Sequence, residues 1–304
     1  MTGAAVLSLN DLCIKHLSGS YALHQVILVR GIVGVAFILA FATLSGQGQV
    51  WRTKRPWMHL LRASIVMVSN VTYFVGLSLM PLADAVATAF VAPMLVTLMS
   101  ALILGEHVGP RRWAAVAVGM LGVVVMTRPG AGVIQPAAIL VLISAFCYAS
   151  SHMMTRRMKD TESAMALSFF VQCGFIVLST LMGLTVGDGH FSGSDNASIA
   201  FLLRPWVWPP LHDLPWFLAT GIAVAIGGLM VSQAYRLLEA ALVAPFEYAS
   251  MPLAIFWGAV VFGTWPDATA AVGIALICGA GLYTLWRETR RKKDVTGDPR
   301  GSDL

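Results

Sequence analysis

Ten runs of predominantly apolar residues divide this chain, and no other feature restricts its fold so tightly. They fall at about 2–18, 23–45, 57–79, 82–104, 111–127, 134–154, 163–186, 215–237, 241–264 and 268–286. An α-helix needs ~20 such residues to cross a hydrocarbon core of about 30 Å, whereas a membrane β-strand needs only ~9–11 and alternates in polarity. The runs are too long for strands and show no period of two. An all-α integral membrane fold of ten transmembrane helices is therefore expected. Composition points the same way: 57% of the 304 residues are apolar and 12% charged, too few to clothe a water-soluble domain. A secretory signal is the competing reading of the first run. Asn10-Asp11 and Lys15 interrupt that run, and it lacks a basic leader and a small-residue cleavage site, which favours a retained helix.

The basic residues sort by loop. With ten crossings, fifteen of the twenty Lys and Arg fall in the loops and tail on one side: Arg52, Lys54, Arg55, Arg111, Arg112, Arg156, Arg157, Lys159, Arg236, Arg287, Arg290, Arg291, Lys292, Lys293 and Arg300. Only Arg128 and Arg204 fall on the other side, and Lys15, Arg30 and Arg62 lie within spans. This asymmetry predicts a membrane protein with both termini cytoplasmic. Trp51, Trp57, Trp113, Trp216, Trp265 and Trp286 sit near span ends, where indole rings favour the interface. The basic clusters thus read as topology signals, and no nucleic-acid partner is expected. Cys13, Cys147, Cys173 and Cys278 lie in apolar runs without CxxC or ligand spacing, so neither disulfide, metal nor other cofactor is expected.

The chain also repeats itself. Residues 83–125 match 242–284 at a shift of 159, bringing Ala85 onto Ala244, Pro93 onto Pro252 and Gly122 onto Gly281. Near the start of each half a shift of 141 brings Asp11-x-x-x-Lys15 onto His152-x-x-x-Arg156, and the loop 187–214 has room for the difference. The expected units are 1–130 and 131–288, five helices each, followed by a basic cytoplasmic tail, 289–304. Five is odd, so the second unit enters the membrane inverted, an arrangement on which many secondary transporters are built.

Several stretches together resemble the EamA type of the drug/metabolite transporter superfamily, and the resemblance covers nearly the whole chain. They are Asp11-x-x-x-Lys15 with Gln25 and Arg30; Pro81-Leu82-Ala83-Asp84-Ala85 running to Pro93 and Gly105-Glu106; Arg128-Pro129-Gly130; and Ala244-Pro245-Phe246-Glu247-Tyr248 running to Pro252. One departure stands out: where the second half should read Gly-Glu it reads Gly263-Thr264-Trp265. The resemblance implies movement of small organic solutes by alternating access, with export of amino acids or related metabolites as the first reading. Uptake of a vitamin or a nucleotide-like compound, of the riboflavin or S-adenosylmethionine type, is the second.

Ionisable groups inside a bilayer cost at least ~2.5–3.5 kcal/mol at its centre and call for partners or a wet cavity. Asp11 and Lys15, one turn apart, are expected to neutralise each other, and Arg30 to pair with Asp11 or Asp84. Glu247 follows Pro245-Phe246, where a missing N–H distorts the helix; it is either a proton or cation site or the partner of Arg62 or Arg236. His152 is a candidate proton acceptor. Asn70, Tyr73, Tyr148, Gln172, Gln233, Tyr248 and Trp257 offer flat apolar contact with a few directed hydrogen bonds, the chemistry of a small-molecule pocket. Pro93 and Pro252 are candidate hinges, and the glycines within spans are packing residues.

No Walker-type GxxxxGK[ST] loop is present, so transport would draw on gradients of protons, another ion or the solute. A membrane enzyme would need paired carboxylates, a metal cluster or a nucleophile beside a base, and none is evident. A structural or receptor-like subunit would show no solute flux when purified. The expected partners are a small-molecule substrate, membrane lipid and a coupling ion, with the protein a monomer or homodimer.

Overall fold

The computed structural model describes residues 2–46, 49–106, 108–127, 136–192 and 197–296. Among them no strand occurs. The helices are α1 (Thr2–Leu17), α2 (Leu23–Leu44), α3 (Pro56–Leu79), α4 (Leu82–Ala89), α5 (Val91–Leu104), α6 (Pro110–Thr127), α7 (Pro136–Arg157), α8 (Ala164–Val186), α9 (Ala197–Leu203), α10 (Leu214–Leu237), α11 (Ala240–Val243), α12 (Met251–Phe262) and α13 (Ala268–Thr296). A 3-10 segment, Ala244–Ser250, joins α11 to α12. Seven stretches, counting Leu82–Leu104 and Ala240–Phe262 as one each, are long and apolar enough to cross a membrane. The multi-pass membrane class follows. The sequence motif Arg128-Pro129-Gly130 and the expected unit boundary lie outside the described residues.

The fourth and ninth apolar runs are not continuous helices. Pro93 cannot donate to the Ala89 carbonyl, and α4 ends there; Phe90 turns its N–H back to Val86 and Ala87 instead. In the ninth run Pro245 and Pro252, seven residues apart, withhold two further donors, and the backbone between them tightens to 3-10 geometry. Two other differences are additions. The 187–214 stretch contains helix α9, and α13 runs beyond residue 286 to Thr296, through a charged sequence of good helix formers.

Hydrogen bonds show which loops share an end of the bundle. At one end, Thr53 Oγ1 and the Lys54 N–H donate to Glu162, Arg236 donates to the Lys159 carbonyl, and Glu106 accepts from the N–H groups of Ala240 and Ala241. Most of the loop arginines and lysines gather here, so we call it the basic end. At the other end Gln25 exchanges two hydrogen bonds with the Val207 backbone, Tyr21 donates to Asp213, and Arg204 donates to the carbonyls of Ser18 and Tyr21. Between the ends the helices pack around a core that includes Phe74, Phe90 and Phe175. The outside is apolar too: Leu44 is 88% exposed and Leu184 81%, a surface that only a non-aqueous neighbour would cover.

Burial of α2 against α8 depends on one small residue. A Cβ on Gly34 would stand 2.6 Å from the Gln172 side-chain nitrogen. Glycine there lets the two helices close in and sets Gln172 one turn from Arg30.

Candidate functional site

A cavity of about 260 Å³ lies among α1, α2, α3, α4, α5, α7, α8, α10 and the 3-10 segment. Of the residues singled out from the sequence it brings together Asp11, Arg30, Asn70, Tyr73, Pro93, Tyr148, His152, Gln172 and Glu247. Near the basic end, Glu247, Ala4 and Val231 also border a wider groove of about 960 Å³ that includes Phe41, Met165 and Arg236. Glu247 therefore stands at the boundary between the two spaces.

The two carboxylates in the cavity are held by hydroxyls and an amide, not by cations. Asp11 accepts from the Tyr73 hydroxyl at 3.1 Å and from Asn10 Nδ2 at 3.2 Å. Asn10 in turn accepts from Thr220 Oγ1 at 2.6 Å, tying α1 to α10. Glu247 Oε1 accepts from Tyr235 at 2.9 Å and from Tyr148 at 3.2 Å. His152 sits among the same tyrosines, its ring stacked on Tyr235 at 3.9 Å and edge-on to Tyr148 at 4.3 Å, with neither ring nitrogen hydrogen-bonded.

Several sequence expectations about charge pairing are corrected. Lys15 does not reach Asp11: its ammonium donates to the carbonyls of Leu77 (2.6 Å), Met80 (2.8 Å) and Ser78 (3.3 Å). A lysine one turn along a helix can choose between a carboxylate and a cluster of orphan carbonyls, and the end of α3 supplies three. Arg30 pairs with neither Asp11 nor Asp84; its Nη2 donates to Asn70 Oδ1 at 3.2 Å, and the guanidinium lies 4.6 Å from the Phe175 ring centroid and 5.3 Å from that of Phe74. Glu247 pairs with neither Arg62 nor Arg236. Arg62 donates to Thr155 Oγ1 and the Leu167 carbonyl, binding α3 to α7 and α8, while Arg236 donates to Gln233 and the Lys159 carbonyl.

Five candidates lie away from the cavity. Lys15 ties α1 to the end of α3, and Gln233 faces the groove beside Arg236. Tyr248 packs edge-on against Phe90 at 5.1 Å, and Trp257 packs beside Phe256 at 5.0 Å. Pro252 is exposed. Sequence reasoning missed Tyr235, which is fully buried and bonded to Glu247. It is two residues from Gln233, roughly 200° around the helix, so the face that carries Tyr235 to Glu247 turns Gln233 away toward the groove. Arg62 and Phe175 line the cavity itself; a guanidinium inside an apolar run was the signal available for the first.

Outside the bundle interior, the basic end holds a second polar cluster. Burial opposes the charge of Glu162, but Thr53, the His59 ring at 3.2 Å and the Lys54 N–H more than offset this and hold its carboxyl below the ordinary range. Beside it Glu106 caps α11 and lies 3.6 Å from Arg156 Nε, and Arg156 reaches the Arg236 carbonyl.

Comparison with known proteins extends this picture. Residues 1–128 match the EamA-like transporter family. A riboflavin transporter of Rhizobium johnstonii is 28% identical over 261 residues, 86% of this chain and 80% of that protein. An S-adenosylmethionine uptake transporter of Rickettsia prowazekii is 21% identical over 93% of this chain and 90% of its own. A riboflavin transporter of Vibrio cholerae is 24% identical over 89% and 86%. A solved crystal structure superposes with a TM-score of 0.71 at 21% identity, covering 95% of this chain and 96% of that one, which shows the shared fold. With the family match over its first 128 residues and relatives named as transporters along most of its length, the chain is similar to the EamA-like transporters and shares their fold.

Proposed function

We propose that this protein is a ten-helix secondary transporter of a bacterial inner membrane, both termini cytoplasmic, that takes up a vitamin or nucleotide-like solute of the riboflavin or S-adenosylmethionine type. The observation that carries this reading is a central polar cavity in a chain whose relatives along most of its length are named as transporters of such compounds. Their names favour uptake over the amino-acid export that the sequence first suggested. Transport rather than catalysis is the role this cavity serves: its carboxylates are held apart by separate tyrosines and are not set as an acid–base pair.

Two inverted units of five helices, 1–130 and 131–288, give such a cavity its alternating access. Packing between helices supports this. α1 lies against α10 as α3 lies against α7, α2 meets α8, and α6 meets α13, the set that exchanging the two units would return. The matched helices α5 and α12 end alike, on Gly105 and Gly263 in the left-handed conformation, with the following N–H returning to Ser100 and Gly258 respectively. The breaks before Pro93 and Pro252 are the hinges of this motion, and Asp11, His152 and Glu247 are its candidate sites for a coupling proton or cation.

The test is uptake into proteoliposomes holding this protein alone, with labelled riboflavin, S-adenosylmethionine, amino acids and nucleosides under imposed pH gradients. Accumulation of a vitamin or nucleotide-like member is expected. Flux of amino acids only would overturn the solute class, and no flux of any member would overturn transport by this chain alone. Cysteines placed near residues 108 and 292 should be labelled from the same side of the membrane; opposite sides would refute the inverted arrangement.

A further inference from the structure

Two guanidinium groups line the cavity, and among the described residues neither has a carboxylate within ion-pair distance; Arg62 is held by Thr155 and the Leu167 carbonyl, whereas Arg30 is left with open donors. Arg30 is completely buried, and only Nη2 has a hydrogen-bond partner, the neutral amide of Asn70. Nε and Nη1 are buried donors without partners in the cavity wall. The Phe175 and Phe74 rings beside the guanidinium contribute cation–π attraction but accept no N–H in its plane. By contrast, both cavity carboxylates already hold two donors each: Tyr73 and Asn10 at Asp11, Tyr148 and Tyr235 at Glu247. A buried guanidinium left in this state is costly, and an anion with in-plane oxygens is the group that offsets it best.

We infer that Arg30 is the receptor for a carboxylate of the transported solute, so that the cavity selects organic acids or zwitterions over their uncharged counterparts. The position favours this. Gln172, drawn against α2 by Gly34, lies one turn from Arg30 with its side-chain oxygen unpartnered, and Ser168, one turn before it on α8, also presents an unpartnered hydroxyl to the cavity. A solute carboxylate at Arg30, with the solute's ammonium donating to the open side-chain oxygen of Gln172, is how an amino-acid head group would sit here, and the flanking phenyl rings suit a flat or apolar remainder. Within the reading of this chain as a solute carrier, the inference favours an S-adenosylmethionine-like zwitterion over an uncharged flavin.

Solute binding to the purified full-length protein in detergent separates this inference from the transport reading. S-Adenosylmethionine is compared with its decarboxylated form, and riboflavin with both, by ligand-induced shift of the melting temperature and by competition. The wild type should bind the carboxylate-bearing form at least tenfold more tightly than the decarboxylated one. Arg30→Lys should keep part of that preference, and Arg30→Gln should bring the two within about threefold. Equal binding of the acid and its decarboxylated form by the wild type, binding of riboflavin alone, or binding of none of the three would overturn the inference without any variant having to fold. A preference that survives Arg30→Gln would overturn the assignment to Arg30. Absence of flux in proteoliposomes with the binding preference intact would count against transport alone.

Discussion

His152 lies flat against Tyr235 with ring centroids 3.9 Å apart, and the Tyr235 hydroxyl reaches Glu247 at 2.9 Å. A stacked aromatic pair thus carries the Glu247 carboxyl at the threshold between the cavity and the groove. Glu247→Gln should abolish gradient-driven accumulation while leaving the protein folded, since an amide still accepts from both tyrosines but no longer changes charge. Flux under a pH gradient and counterflow without one, measured on the same preparation, check it: accumulation should fall at least tenfold and counterflow much less.

Tyr235→Phe removes one of the two donors to a buried carboxylate. Hydrogen bonds to charged groups contribute about 1.5–3 kcal/mol, so a loss of that order is expected in unfolding free energy. Tyr148→Phe, at the longer 3.2 Å contact, should cost less. Denaturant unfolding of the three proteins in one detergent gives the comparison.

Lys15 is a fastener between α1 and the end of α3. Lys15→Met leaves three carbonyls without their shared donor and should destabilise by about 1–3 kcal/mol, with Lys15→Arg intermediate. Thermal melts read this directly, and the same loss in an Asp11→Asn background would show that Lys15 acts independently of Asp11.

Glu106→Ala frees the first N–H groups of α11 and leaves Arg156 without its carboxylate. Amide exchange at Ala240 and Ala241 should rise roughly tenfold, the equivalent of about 1.4 kcal/mol, with little change in α8. Hydrogen-exchange mass spectrometry over 238–244 measures it.

Glu162 gives a pH dependence of known sign. Its carboxyl titrates below the ordinary range in the folded protein, so its ionised form stabilises the fold at pH values above the ordinary carboxylate pKa of about 4.3. That contribution is lost as the pH falls through the lower folded value. Melting temperatures of wild type and Glu162→Gln should differ most near neutral pH and converge toward pH 3. A constant difference would show that Glu162 acts by shape and not by charge.

Much of the architecture was legible because lipid imposes a simple rule on length and polarity. Helix is found along each of the ten apolar runs, broken in the fourth and ninth and extended at α13, and seven stretches among the described residues are long and apolar enough to cross a membrane. The breaks within two runs were foreshadowed by Pro93, Pro245 and Pro252. Which groups would occupy the middle was legible from cost: Asp11, Arg30 and Glu247 had no business in apolar helices unless they met something polar. Their partners were not, because pairing depends on distances between helices far apart in sequence. Lys15 illustrates the limit. Helical spacing placed it beside Asp11, but the carbonyls it serves are more than sixty residues away. Tyr235 illustrates another, since composition could not say which face of α10 turned inward.

The two mouths of the bundle are fastened by unlike bonds. Parting the end where Gln25 grips Val207 breaks a reciprocal amide pair and the contacts of a stretch that the first repeat has no room for; parting the opposite end strips Glu106 from α11 and from Arg156. Because these costs have no reason to be equal, a molecule that alternates between two facings, as proposed above, should rest unevenly between them when unloaded. Under that proposal, gradients would set the net direction of cargo, and this inequality would set the side on which the empty protein waits.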